Sequence, residues 1–210
     1  MNLLDRAAIL HFHRHRIAEH GSGVMALGWR GEESQQKRFE VIASLADFNH
    51  STVLDVGCGR GDLKAYLDAR FTDVAYFGID QMPEFIADAN ARYEGGSPCR
   101  FYQADFSEVS FPRVNYVIAS GALAYRNADP NFAFDMIERL YAASERAAIF
   151  NFLDAARFLE HPLLMGHDRD AVLAHCRRLS PTVDVVQGYL DDDVTVRITR
   201  PITRLLEGRE

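Results

Sequence analysis

From residue 52 onward, short apolar runs rich in β-forming residues alternate with helical patterns, which is typical of parallel strands joined by crossover helices. Strands are predicted at 52–56, 73–79, 99–104, 113–119, 146–152, 182–189 and 194–200. Helices are predicted near 61–70, 83–94, 130–144 and 168–179. Only Asp191-Asp192-Asp193 separates the last two strands, and so short a link makes a hairpin rather than a crossover. The sequence therefore predicts an α/β fold with a seven-stranded, mostly parallel sheet and a C-terminal antiparallel hairpin.

Two more helices are predicted ahead of the sheet, at about 3–20 and 32–47. Between them, Gly21-Ser22-Gly23 is a reasonable hinge, because glycine ends helices and leaves the backbone able to turn. Ligands of open α/β sheets bind beyond the carboxyl ends of the strands. We therefore treat residues 1–47 as an N-terminal helical cap that is predicted to close over those strand ends, and residues 48–210 as the domain built on the sheet.

The first predicted strand runs into a glycine-rich turn, Val-Leu-Asp-Val-Gly-Cys-Gly-Arg-Gly, at residues 53–61. Glycine has no Cβ, so Gly57, Gly59 and Gly61 permit positive φ and the close approach of a ligand. We expect Gly59 in particular to leave room for part of a small charged ligand. The alternative interpretation of the pattern is a purely structural turn.

An acid stands at the end of each of the next two predicted strands. Asp80 follows the second strand, 19 residues after the last glycine of the turn (80 − 61), where a carboxylate can accept hydrogen bonds from both hydroxyls of a ribose. Asp105 follows the third strand and is placed to accept from an adenine amino group, while Phe106 or Met82 covers the ring. The other interpretation of Asp80 is an N-cap of the helix that Pro83 begins. Jointly, these residues predict a nucleoside pocket.

Two further acids indicate which nucleoside ligand fits. A dinucleotide fingerprint needs a small residue where this chain has Asp62. Asp55 lies two residues before the first glycine of the turn, where its charge would repel a pyrophosphate and attract an ammonium group. The residues therefore disfavour a nicotinamide-dependent oxidoreductase, which is kept as an alternative, and favour an adenosine ligand that carries a positive charge.

Segment 53–61, followed by Asp80 and Asp105, resembles the class I S-adenosylmethionine-dependent methyltransferases of the small bacterial type, in order from about residue 51 to 200. The resemblance implies a Rossmann-like sheet, S-adenosyl-L-methionine as cofactor, and a turn that holds the methionyl part together with Asp55. Residues 29–39 resemble the segment before the sheet in some of these enzymes, which implies that Arg38 pairs with the cofactor carboxylate; a solvated surface arginine is the alternative. The predicted cofactor-binding residues are Arg38, Asp55, Gly57, Cys58, Gly59, Asp80, Gln81, Met82, Asp105, Phe106 and Ser120.

The segment after the fourth predicted strand bears on the acceptor. Residues 119–126 lack the Asn/Asp-Pro-Pro-aromatic sequence usual in methyltransferases that act on planar amide or base nitrogens, which speaks against adenine and glutamine side chains as acceptors. Tyr125 and Arg126 are expected to reach the acceptor, and His161 and His167 follow the fifth strand on the predicted active edge. If the acceptor needs a base, Tyr125 and His167 are the predicted catalytic residues.

The remaining histidines and the cysteines predict no metal site. His11 and His15 share a helix face, and with Glu19 they form an alternative zinc site, but no other ligand cluster supports it. His13 does not share that face, and a solvent-facing or substrate-facing side of the helix is the preferred interpretation. Three cysteines, separated by 41 and 77 residues, have neither metal nor disulfide spacing and are interpreted as free thiols: Cys58, Cys99 and Cys176.

Composition limits the partners. The 210 residues carry a net charge of −7, with 30 acids against 23 lysines and arginines, whereas nucleic-acid backbones are bound by clustered positive charge. No stretch approaches the ~20 apolar residues of a membrane span, and the N-terminus lacks a signal-peptide pattern, so a cytoplasmic location is expected. The sequence thus predicts in-line methyl transfer to a small-molecule acceptor, with a noncatalytic adenosyl-binding module as a second alternative.

Overall fold

The computed structural model describes residues 1–96 and 98–201. The strands are β1 (Thr52–Val56), β2 (Ala75–Asp80), β3 (Cys99–Gln103), β4 (Val114–Ala119), β5 (Ser144–Leu153), β6 (Val183–Gln187) and β7 (Asp193–Thr199). The α-helices are α1 (Leu3–His20), α2 (Glu32–Ser44), α3 (Asp62–Asp68), α4 (Pro83–Arg92), α5 (Phe132–Ala143) and α6 (Arg169–Leu179). Short 3₁₀ helices lie at Val24–Leu27 and Ala122–Ala124. In this part of the chain, no helix is both long and apolar enough to cross a membrane.

The seven strands form one sheet in the order β3-β2-β1-β4-β5-β7-β6. Strands β1 to β5 pair in parallel, whereas β7 runs antiparallel to both of its neighbours, β5 and β6. The link between β6 and β7 is the predicted hairpin. The predicted fold, a mostly parallel seven-stranded sheet that ends in an antiparallel hairpin, is therefore confirmed.

Some element bounds differ from the sequence prediction by two or three residues. β5 begins at Ser144, directly after α5 ends, rather than at 146. The Ser144 side chain is fully buried and donates to the Tyr141 carbonyl over 2.8 Å, so one residue both caps the helix and starts the strand. α2 ends at Ser44 rather than 47, because the amide of Leu45 bonds back to the Ile42 carbonyl (3.2 Å) in a tightened last turn.

Helices cover both faces of the sheet, which explains why the central strands β1 and β4 are buried along nearly their whole length. In β1, Leu54 packs with residues of α5 and α6, such as Leu140. Its neighbour Val53 packs on the opposite face with residues of α2 and α3, such as Ile42 and Leu67. The carboxyl ends of the parallel strands consequently meet at one edge between the two helical layers.

α1 lies over that edge, and contacts tie it and the residues before it to segments that follow three different strands. The N-terminal ammonium group donates to Ser107 Oγ (2.6 Å), after β3. The carboxylate of Asp5 accepts from the amide of Ala128 (2.9 Å), after β4, and Arg14 forms an ion pair with Glu84 (2.9 Å), after β2. These contacts hold the N-terminal helix across the crevice in which ligands of such sheets bind.

The predicted hinge between α1 and α2 is also held in place. The guanidinium of Arg60, in the glycine turn, donates to the carbonyls of Gly21 (3.0 Å) and Gly23 (3.3 Å). Arg60 is buried and forms an ion pair with Asp88 (2.8 Å). The glycine turn and the cap are therefore joined by one buried arginine.

Candidate cofactor and acceptor site

The glycine turn has the backbone conformation that favours glycine. Gly57, Gly59 and Gly61 have φ of 81°, 54° and 74°, which is the left-handed region. The amide of Gly57 donates to the Ile79 carbonyl (2.8 Å), which fastens the turn to the end of β2. A Cβ added at Gly59 would lie 2.8 Å from Cδ2 of Leu27, in the cap. Leu27 therefore fills the space on the Cβ side of Gly59, so the turn touches the cap directly, while Gly59 still lines the cavity.

Asp80 ends β2 and lies buried beside the turn. Its Oδ2 accepts from the amide of Gly59 (2.9 Å) and its Oδ1 from the amide of Met82 (2.8 Å). Burial raises the pKa of Asp80 to about 6, although these amide hydrogen bonds favour the ionised form. The N-cap residue of α4 is Met82, so Asp80 is not the cap of that helix. Because each carboxylate oxygen has a second lone pair, Asp80 can still accept from a ligand in the cavity it lines.

Asp55 is a deeply buried acid of the site. It is 3% exposed, and its Oδ2 accepts a hydrogen bond from the hydroxyl of Tyr76. Burial raises the pKa of Asp55 to about 7, against the effect of the Tyr76 hydrogen bond, and the carboxylates of Asp80 and Asp62 add to the rise. Its Oδ1 has no partner in the described part of the chain. A cation beside this oxygen would favour the ionised form.

Three other predicted cofactor residues also carry a buried polar atom without a partner among the described residues: Gln81 Oε1, Asp105 Oδ2 and Ser120 Oγ. Buried polar atoms in folded proteins are nearly always paired, so those of the three that lie in the cavity wall fit a ligand with polar groups. Gln81 and Ser120 line the cavity. Asp105 does not line it, because its Oδ1 is held by the amide (2.9 Å) and the hydroxyl (2.6 Å) of Ser107.

Arg38 is buried, so the alternative of a solvated arginine is wrong. Its Nε donates to Asp193 Oδ2 (2.6 Å), its Nη2 pairs with the same oxygen, and the guanidinium stacks on Trp29 at 4.8 Å from the ring centroid. Asp193 Oδ1 accepts from Asn151 Nδ2 (2.9 Å) and from the hydroxyl of Tyr189 (2.6 Å). Arg38 thus lines the cavity while paired with a carboxylate of β7 that no sequence motif indicated.

A cavity of about 440 Å³ lies between the strand ends and the cap. The predicted residues that line it are Arg38, Asp55, Gly57, Cys58, Gly59, Asp80, Gln81, Met82, Phe106, Ser120 and Tyr125. Apolar side chains of the cap and of the loop after β5 also line it: Ile9, Phe12, Leu27, Phe158, Leu159 and Leu164. The cavity therefore combines a wall of buried polar groups with a largely apolar wall.

His167 does not line this cavity, although it was predicted as a base. Its Nε2 bonds to the carbonyl of Leu123 (2.9 Å), so the ring contacts the backbone after β4 rather than the cavity. The same loop instead places His161 in the cavity wall. The Nδ1 of His161 accepts from the amides of Leu163 (3.2 Å) and Leu164 (3.0 Å), which leaves Nε2 as the protonated nitrogen.

His13 is a cavity residue that the sequence analysis did not select. It is 5% exposed, and its Nε2 lies 2.7 Å from the hydroxyl of Tyr125. Helical spacing could have identified His13 as a buried residue, because it lies four residues after Ile9, and these two are the buried residues of α1. His15 points elsewhere and forms an ion pair with Glu19 (3.2 Å).

The sheet order and the glycine turn with Asp55 and Asp80 at the strand ends define a class I methyltransferase. A family model described as a methyltransferase domain matches residues 53–143. Rv1506c of Mycobacterium tuberculosis, named as a methyltransferase, is 32% identical over 148 residues, which cover 66% of this chain and 86% of that protein. This chain therefore belongs to the S-adenosylmethionine-dependent methyltransferases, and the nicotinamide alternative is wrong.

Solved structures share the fold. Magnesium protoporphyrin IX methyltransferase from Synechocystis PCC 6803, with bound S-adenosylmethionine, superposes with a TM-score of 0.66 at 14% identity over 94% of this chain and 97% of that chain. The small RNA methyltransferase HEN1 gives a TM-score of 0.64 at 16% identity over 79% of this chain and 25% of that chain. These two enzymes are named for acceptors of different classes, so the shared fold does not identify the acceptor of this protein.

Proposed function

We propose that this methyltransferase acts on a small-molecule acceptor, which binds between the cap and the carboxyl ends of the strands. The observation that carries the proposal is the cavity of about 440 Å³ beneath α1 and the first 3₁₀ helix, a volume typical of small-molecule sites. Contacts to Ser107, Ala128 and Glu84 hold α1 across the crevice. A chain-like acceptor would need an extended open groove, whereas residues of α1 and of the first 3₁₀ helix form part of the wall of this cavity.

The polar wall is assigned to the cofactor. The partnerless Oδ1 of Asp55 suits the cofactor ammonium group, because a cation compensates a buried carboxylate that is costly to ionise. Asp80 suits the ribose hydroxyls, and Phe106 with Met82 suits the adenine ring, since all three line the cavity next to the turn. Gln81 and Ser120 offer buried polar atoms to the remaining cofactor groups.

Arg38 is assigned to the cofactor carboxylate. Only some of its guanidinium N–H groups are directed at Asp193, and the others could donate to the cofactor carboxylate. Its Nε and Nη2 are directed to Asp193, and its Nη1 donates only a long hydrogen bond (3.3 Å) to the carbonyl of Ser34. A guanidinium has five N–H donors, so one side can serve a second carboxylate. Asp193 then acts as the anchor that orients Arg38.

The apolar wall is assigned to the acceptor. S-adenosylmethionine supplies an activated methyl group, and the protein must align the acceptor atom behind that methyl for in-line displacement. Alignment alone can provide most of the acceleration. Phe12, Leu27 and Phe158 can bury a hydrophobic acceptor body and exclude water from the reacting centre.

Labelled methyl transfer tests the acceptor class. Purified protein is incubated with S-adenosylmethionine labelled on the methyl group and, separately, with the low-molecular-mass, RNA and protein fractions of a bacterial extract. We expect label only in products of the low-molecular-mass fraction, together with S-adenosylhomocysteine. Label in RNA or protein would contradict the small-molecule assignment. Calorimetric binding of S-adenosylhomocysteine without transfer to any fraction would instead indicate the noncatalytic binding module.

A further inference from the structure

A histidine of the cap and a tyrosine of the sheet domain form a hydrogen-bonded pair inside the cavity. His13 Nδ1 lies 3.2 Å from the carbonyl of Ala26, which can only accept, so Nδ1 carries the proton. In the neutral ring, Nε2 is then an acceptor, and the Tyr125 hydroxyl donates to it over 2.7 Å. The tautomer and the direction of the hydrogen bond are thus fixed by the cap backbone.

The Tyr125 oxygen retains acceptor capacity. A phenol oxygen has one proton and two lone pairs, and its proton is directed at His13. No other residue of the described ranges hydrogen-bonds to this oxygen, and both side chains of the pair line the cavity. A hydroxyl group on a bound molecule would satisfy the oxygen by donating to it.

The surroundings keep both members of the pair neutral. Burial lowers the pKa of His13, and the guanidinium of Arg16 on the same helix adds to this effect, against the Ala26 hydrogen bond. Burial and the carboxylate of Asp80 raise the pKa of Tyr125, while Arg16 acts in the opposite direction. At neutral pH His13 is therefore an unprotonated acceptor, and Tyr125 is a protonated donor.

We propose that Tyr125 and His13 form a proton relay for an acceptor hydroxyl, so that the substrate is an apolar or aromatic compound carrying an alcohol or phenol group. The inference rests on the proposed function and names the acceptor class for the same cavity. Tyr125 is the catalytic residue, because it touches the acceptor, and His13 is a positioning residue and proton acceptor that acts through Tyr125. The adjoining apolar side chains, such as Phe12 and Phe158, match the body of such a compound.

The acceptor oxygen forms a bond to the methyl carbon while the bond from that carbon to the sulfonium sulfur breaks, and its electron pair stays on sulfur to give S-adenosylhomocysteine. The acceptor proton moves to the Tyr125 oxygen as the Tyr125 proton moves to His13 Nε2. The positive charge that leaves the sulfonium thus appears on the imidazolium, which the Ala26 carbonyl stabilises. A hydroxyl needs such a base because it is a poor nucleophile when protonated.

The test measures both the atom that receives the methyl group and the rate of methyl transfer. Wild-type protein, Tyr125→Phe, His13→Asn and the control His15→Asn, an exposed histidine of the same helix, are supplied with [methyl-¹³C]S-adenosylmethionine and a protein-free metabolite extract. NMR shifts of the transferred methyl distinguish oxygen, nitrogen, sulfur and carbon as its new partner. We expect a methoxy product, a kcat lowered roughly 100-fold or more in Tyr125→Phe and His13→Asn, and a KM for S-adenosylmethionine changed less than about threefold.

The pH profile separates the relay from mere packing. Wild-type activity should fall on the acid side as His13 is protonated, and this limb should disappear in His13→Asn. In Tyr125→Phe the residual rate should rise with pH, because the acceptor then ionises without help. The charged groups beside the pair, Arg16 and Asp80, are unchanged in these variants.

Several results would overturn the relay. One is a product methylated on nitrogen, sulfur or carbon. Another is a methoxy product that Tyr125→Phe forms at an undiminished rate. Circular dichroism and S-adenosylhomocysteine binding verify that this variant is folded. Either result leaves the small-molecule methyl transfer standing. Absence of any small-molecule product in the wild type would contradict the proposed function itself, and the relay with it.

Discussion

The polar wall of the cavity, around the glycine turn, and the cap wall, formed by residues of the N-terminal cap, differ in how far apart along the chain their interacting residues lie. In the first wall, Asp80 bonds to Gly59, 21 residues away, across two adjacent parallel strands. In the second, His13 meets Tyr125 over 112 residues, and Arg38 meets Asp193 over 155. The part of the polar wall formed by Asp55, Gly59 and Asp80 is thus built within one βαβ unit, whereas the cap wall depends on how α1 and α2 dock on the finished sheet.

This difference separates two kinds of specificity. A wall made within one supersecondary unit forms wherever the unit folds, so it suits a cofactor shared by a whole family. A wall made by docking of an added segment can change without disturbing the sheet, so it suits the acceptor, which differs between members. Arg38 is the exception, because it belongs to the cap but is assigned to the cofactor. Leu27 against Gly59 and Arg60 against Gly21 are the places where the two walls touch.

Gly59→Val is expected to have the largest effect, because it disrupts the contact between Gly59 and Leu27. The Cβ would lie 2.8 Å from Leu27 Cδ2, and a β-branched residue is strained at a φ of 54°. We expect S-adenosylhomocysteine binding to be abolished in calorimetry and hydrogen exchange over residues 24–27 to accelerate. Gly95→Val is the control, since Gly95 also has a positive φ but open space around its Cβ position. Normal binding by folded Gly59→Val would mean that the two walls are independent.

Arg38→Ala is expected to lower the free energy of unfolding by roughly 3–5 kcal/mol, because it leaves the buried carboxylate of Asp193 without its cation. Urea denaturation measures this loss. Lys37→Ala, which removes the exposed ion pair with Glu33 on the same helix, should lower the free energy of unfolding far less, because water screens such a pair. Equal losses in the two variants would show that the cap wall is not anchored through the Arg38 ion pair.

Asp80→Ala probes the polar wall alone. We expect S-adenosylhomocysteine to bind with a free energy weakened by roughly 1–3 kcal/mol, or about 5- to 150-fold in affinity, because charge-assisted hydrogen bonds to the ribose are lost. Glu108→Ala, at an exposed acid outside the cavity, serves as the control in the same titration. An unchanged affinity in Asp80→Ala would remove the ribose assignment.

Asp55→Asn should change how stability depends on pH. The folded pKa of Asp55 is raised from 3.8 to about 7, so the unfolded chain holds fewer protons than the folded one in that range, and the free energy of unfolding falls as pH rises through it. The slope from one group is at most about 1.4 kcal/mol per pH unit. Denaturation of ligand-free protein between pH 5 and 8 should show a shallower fall in Asp55→Asn. The raised pKa of Asp80, about 6, adds a fall at lower pH that both proteins share. Parallel curves over the whole range would contradict the burial cost assigned to Asp55.

Much of the polar wall was predictable from the sequence. The run Val53 to Val56 had to be a strand covered on both faces, and the turn that follows needs positive φ at three glycines. Asp80 then had to fall beside the turn, because parallel neighbours with a short crossover end at the same edge. Asp105 shows the limit of this reasoning, since a local hydrogen bond from Ser107 turns it from the cavity although its strand ends where expected.

The sequence by itself determined the sheet, its hairpin and the glycine turn, since periodic burial and backbone conformation act over a few residues. Only the tertiary structure decided that His13 rather than His167 enters the cavity, that Arg38 meets Asp193, and that Leu27 closes on the turn. Those contacts depend on the direction in which α1 crosses the strand ends, and that direction is set by contacts such as Arg14 with Glu84 between residues 70 positions apart. No local pattern encodes such a crossing, because its free energy is the sum of long-range contacts that exist only when the sheet and cap have packed together.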